Sequence, residues 1–220
     1  MLRANNSMYI PRLLAFCLVL LALTGCATST IVLNGTYPAP LVRKIPLTLG
    51  VYYPPELRNY AFTETDAETG DKQYLLQIGA SQLKLFNTLL PALFDKVVLL
   101  DSVQPMPGTG AIDAVFIPAI AEFQLGLPHK TRMQVYEIWM KYDLKLSKTN
   151  GEQIADWVMT AYGKAPQESL QLVDSGVQNA AMVAMRDLAA SLTLGFAEVP
   201  AVKAWLQAGH RNAVTQGYGE

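Results

Sequence analysis

Few side chains in this chain are of the types that do covalent or metal chemistry. Its thiols are Cys17 and Cys26, and its imidazoles are His129 and His210. His129 stands in Leu127-Pro128-His129-Lys130, a loop by composition, and His210 in an apolar-poor tail. Neither has a second histidine at metal-ligand spacing, so no metal and no cofactor is expected. Gly108-Thr109-Gly110 is too short for a dinucleotide fingerprint and leads into no helical pattern. No G-x-S-x-G elbow is present. Carboxylates such as Asp95, Asp101, Asp113 and Glu122 fall near the ends of expected elements, and a pair of them meeting in space could do acid–base work. Their ordinary reading is solvated surface, so no catalytic residue is assigned.

Cys26 is different because of what precedes it. Arg3 and Arg12 lead an apolar run from Leu13 to Leu23, followed by small residues, the layout of a secretory leader. The run is about half the ~20 residues needed to cross a bilayer. Leu23-Thr24-Gly25-Cys26 resembles the lipobox of bacterial lipoproteins, with an aliphatic residue, a small one, Gly or Ala, and then Cys. The resemblance implies cleavage before Cys26, a diacylglyceryl group on its sulfur and acylation of its amine. An ordinary cysteine after a cleaved leader is the competing reading. Three acyl chains would hold a water-soluble body at a membrane unaided, at about 0.8 kcal/mol per buried CH₂. In enteric-type lipoproteins aspartate after the cysteine means inner-membrane retention, so similarity to those proteins makes Ala27 favour the outer membrane, with the body facing the periplasm.

Loss of residues 1–25 removes Arg3 and Arg12 and no acid, so the formal charge of −1 drops by two. Without clustered cations, nucleic acid is not an expected partner. The remaining chain would hold no free thiol once Cys26 is modified, which excludes disulfides and cysteine catalysis.

The elements that must position any functional surface follow from periodicity. Residues 26–44, rich in Ser, Thr, Asn-Gly and Pro, read as a tether. A single domain is expected over 45–208 and a flexible tail over 209–220. Leu47, Leu49, Val51 and Tyr53 alternate as a strand that Pro54-Pro55 ends. Glu56 to Gly70 reads as a loop, and Asp71 to Ile78 as a second strand. Ser81 is a plausible N-cap for a helix from Gln82 to Lys96, with Pro91 kinking or splitting it. Val97–Leu100 and Ala111–Ile120 read as strands flanking a turn-rich loop.

From Tyr136 to Leu146 apolar and charged residues alternate strictly, so 132–147 is a half-buried strand that Asn150-Gly151 turns back into Glu152–Tyr162. A loop of even length puts Trp157 and Met159 on the face of Tyr142 and Leu144, whereas an odd loop buries Asp156. The even loop is expected. Lys164-Ala165-Pro166 then opens a helix with the stripe Leu170, Val173, Val177, Ala181, Ala184, Leu188 and Leu192. The fold class expected is α+β, a mostly antiparallel sheet with a long hairpin and two helices packed on one face.

With Cys26, this order resembles the envelope lipoproteins whose domain is similar to the N-terminal domain of TolB: auxiliary lipoproteins of ABC-type transporters, CsgG-like secretion lipoproteins and lipoprotein activators of penicillin-binding proteins. The resemblance implies an assembly or adaptor part, not an enzyme, bound to an envelope protein or to copies of itself. Trp139, on the charged face of its strand, and Tyr52, Tyr53 and Tyr60 around Pro54-Pro55 are the candidate partner-binding residues, since Trp and Tyr anchor interfaces. A lipid or small-ligand carrier and, more remotely, a hydrolase stay open. Clickable palmitate should label the wild-type chain and not Cys26→Ser. Equal labelling of both, or none of either, sinks the lipobox reading.

Overall fold

The computed structural model describes residues 28–70, 72–105, 110–169 and 172–216, with side chains at all of these except Thr69 and 209–216. Cys26 and the leader, Asp71, residues 106–109, Leu170, the His210 side chain and 217–220 lie outside them. The described chain falls into two compact units, residues 28–30 with Thr63–Leu75, and a larger unit of Ile31–Phe62 and the chain from Leu76 onward. Strands β1 (Thr28–Val32), β3 (Ala61–Asp66) and β4 (Lys72–Gln77) pair in the order β1-β4-β3.

The larger unit is built on a five-stranded sheet of order β5-β2-β6-β7-β8, comprising β2 (Ile45–Tyr52), β5 (Phe94–Leu100), β6 (Ala114–Gly126), β7 (Val135–Ser147) and β8 (Gln153–Pro166). The class is α+β, but the sheet is mixed, not mostly antiparallel: β2 pairs parallel with both β5 and β6, while β6-β7 and β7-β8 are antiparallel. A helix, α2 (Gly79–Leu93), supplies the physical reason. It ends at Phe94, which stands beside Ile45 at the start of β2, so the chain re-enters the sheet in the direction it first took.

The short helix α1 (Pro55–Arg58) and β3 replace the loop expected over Glu56–Gly70. The Tyr60 carbonyl accepts the N–H groups of Ile78 and Gly79 at 3.0 Å, which closes the entrance of α2. Ser81 is therefore not the N-cap. It is buried inside the first turn, sharing a 2.6 Å hydrogen bond with Tyr37. Pro91 lies in the last turn of an unbroken helix.

Residues 31–37 are likewise no tether. Ile31, Leu33 and Tyr37 alternate into the core, and Gln178 donates to the Asn34 carbonyl at 2.6 Å. That period of two was present in the sequence, hidden among turn-forming residues.

The hairpin of β7 and β8 sets Tyr142 opposite Met159 and Leu144 opposite Trp157, the expected face, although the loop is odd. Five residues separate the paired Ser147 and Gln153, and a bulge at Ile154 adds the residue that restores parity. Gly151, at φ 87°, makes the turn.

β8 runs on to Pro166, so Lys164-Ala165-Pro166 closes a strand instead of opening a helix; α3 (Val173–Gly195) begins later. Its apolar length would suffice to cross a bilayer, yet Val177, Ala180, Ala181, Ala184, Met185, Leu188 and Leu192 are buried. α4 (Pro200–Gln216) runs into the segment 209–220 expected as a flexible tail.

α2 and α3 both meet the even-numbered face of β7. Gln82 of α2 hydrogen-bonds Tyr142, and Phe86 stacks edge-on against Tyr142 and Phe116 at 6.5 and 6.1 Å. α3 comes down where small residues leave room. A Cβ on Gly163 would strike the backbone of Ala180 and Ala184, and one on Gly176 would strike the Tyr136 ring. Backbone cannot swing aside, so Gly163→Ala should cost about 1–3 kcal/mol and lower Tm by about 4–10 °C. Gly195→Ala, whose Cβ would meet only Met159 at 3.8 Å, should leave Tm unchanged or slightly raised. Equal melting of both variants contradicts the close approach.

Candidate functional site

The odd positions of β7 build the surface away from the helices. Register sets Glu122–Lys141–Thr160, Gln124–Trp139–Tyr162 and Gly126–Glu137–Lys164 in rows across β6, β7 and β8. The rows depend on a bulge in β6 at Ala121. Without it, Phe123 would leave the core and take the place of Gln124 on this open face.

Trp139 is half-buried between its neighbours in a groove of about 380 Å³, lined by Gln124, Leu125, Gly126, Glu137 and Tyr162. The Tyr162 hydroxyl donates to Glu137 Oε1 at 2.9 Å, and this bond to the carboxylate, more than burial, raises the tyrosine pKa. An indole, a phenol, an amide and a carboxylate share one shallow face. Such a set stacks and hydrogen-bonds, and its phenol and carboxylate are bound to each other.

The four aromatics expected at an interface do not come together. Tyr53 is 5% exposed, packs on Phe86 at 6.3 Å and donates its hydroxyl to Asn87 at 2.8 Å. It is a core residue: directly after β2 it continues the odd-numbered alternation of Leu49 and Val51, which are buried with it. Tyr60 is half-buried against Phe123, on the face opposite Trp139. Tyr52 lies beneath the Arg58 guanidinium, 6.0 Å from its ring centre. Trp139 instead gains Tyr162, Glu137 and Gln124, which follow from cross-strand register and not from any local motif.

Of the carboxylates, Asp113 Oδ2 accepts the Thr48 N–H at 2.7 Å, holding the start of β6 beside β2, and Glu122 faces Lys141. Among the described residues no three His, Cys, Asp or Glu side chains gather where a metal ion could sit. The space between helices and sheet, where a carrier would keep its cavity, is filled by Phe86, Phe116 and Tyr142. A second concavity of about 580 Å³ lies between 39–44 and Thr88, Pro91 and Ala92 of α2, with Leu41 fully exposed at its rim.

No family model matches the chain, and no curated protein does. Solved structures with some likeness include a Xanthomonas campestris protein of family DUF330, 11% identical, covering 85% of this chain and 98% of its own, at TM-score 0.48. A minor lipoprotein from Acinetobacter baumannii is 13% identical over 70% of this chain and 92% of its own, at TM-score 0.39. A lipoprotein from Neisseria meningitidis is 12% identical over 57% and 88%, at TM-score 0.26.

Burial raises the pKa of Tyr53 and of Tyr142, so both stay protonated in the fold well above the ordinary value of 10.0. Their contribution is complete below pH ~10 and is lost above it, as the unfolded chain gives up protons the folded chain retains. Denaturant midpoints should therefore fall between pH 10 and 11.5, and fall less in Tyr53→Phe. An identical slope in that variant contradicts the assignment.

Proposed function

We propose that this chain is a lipid-anchored, non-enzymatic adaptor of the bacterial envelope, held at the outer membrane through Cys26 and facing the periplasm. It works by protein–protein contact within a transport or secretion assembly. The open face of β6, β7 and β8 is the contact surface, and Trp139 is its anchor. The observation that carries this reading is the Gln124–Trp139–Tyr162 row, an aromatic pair in a polar rim on a sheet face that neither α2 nor α3 packs against. The filled space beneath the helices supports contact over carriage, and the lipobox residues support the anchor.

Crosslinking in intact envelopes should join the wild-type chain to a partner of constant mass. Trp139→Ala should cut that yield about tenfold with an unchanged thermal melt, whereas Leu41→Ala, at the other concavity, should leave it intact. Wild-type yield from Trp139→Ala, or no crosslinked partner at all, would remove the open face from the proposal.

A further inference from the structure

Strand β8 is an edge of the five-stranded sheet and runs for 14 residues. The Tyr162 N–H does not join the ladder to Trp139 opposite; it donates outward to Asp187 of α3 at 3.1 Å. Pairs of this kind alternate along an antiparallel ladder, so Asp156, Val158, Thr160, Tyr162 and Lys164 all turn their backbone N–H and C=O groups to the outside. Their side chains are exposed as well, Val158 at 53% and Tyr162 at 44%. A long edge of this kind is a template for another strand.

We propose that β8 pairs antiparallel with β8 of a second copy of this chain, about a two-fold axis at Thr160. In that register Thr160 meets its counterpart, Val158 of each copy meets Tyr162 of the other, and Asp156 meets Lys164. The strand is self-complementary: two opposite-charge pairs and two aromatic–β-branched pairs form per dimer. A shift of one residue sets outward-facing groups against inward-facing ones, and a shift of two sets Asp156 against Tyr162 or Pro166. Asp187 guards one of the outward N–H groups in the single chain and yields it on pairing. Val183 and Leu194, one and two turns from Asp187 on the same side of α3 and 43% and 77% exposed, run along this edge and would be covered with it. The inference goes beyond the proposed function and needs neither the lipid nor Trp139.

The test is sedimentation equilibrium of the full chain in density-matched detergent across a dilution series. The parent should form a dimer that dissociates on dilution. Asp156→Lys and Lys164→Asp should each weaken it about tenfold, with thermal melts unchanged, and the doubly exchanged chain should recover parental association because the charges are again opposite. Either single variant suffices if the other fails to fold. A parent monomeric at every concentration, single variants that associate as the parent does, or a double variant without recovery overturns the proposal.

Discussion

The period of two along β7 is the constraint from which the larger unit follows. Tyr136, Ile138, Met140, Tyr142, Leu144 and Leu146 all face the helices and are all buried, so β7 can hold only one orientation without placing charge in the core. Its neighbours must comply, and each does so by a local irregularity. The β6 bulge at Ala121 brings Phe123 and Leu125 inward, and the β8 bulge at Ile154 corrects an odd loop. One strand's alternation thus sets two kinks in others, and those kinks compose the row in which Trp139 stands.

Small residues let the second layer approach that strand pair. Glycine at 163 and 176 and alanine at 180, 181 and 184 bring α3 to within backbone distance of β8. The interior is not wholly apolar. Tyr142 donates to Gln82, and Tyr37, Ser81 and Met185 meet between residues 31–37, α2 and α3. Each buried hydroxyl has a partner, as burial demands. These bonds link elements distant in sequence and tell one packing of the helices from another, which apolar contact alone does poorly. Trp157 is the exception, its indole N–H buried beside Phe116 and Phe196 without a partner among the described residues.

The two faces of the sheet therefore have different work. One is closed by helices and filled with rings; the other carries charges around a single aromatic pair. Two of the carboxylates are tied to structure, Asp113 to the β2 backbone and Glu137 to the Tyr162 hydroxyl.

Short-range features alone made much of this legible. Alternation marked β2, β4 and β7, the three-to-four spacing marked α2 and α3, and Asn150-Gly151 marked the turn that returns as β8, because each is a consequence of backbone geometry acting over a few residues. Trp139 could be put on the open face for the same reason. What no local pattern held was which surfaces would meet: the parallel run of β5 beside β2, the two bulges, and the interior that Tyr53, Ile31, Leu33 and Tyr37 enter, although their period of two stands in the sequence. Those were decided by contacts between residues far apart in the chain, where the energy of filling a shared interior outweighs what any short segment prefers by itself.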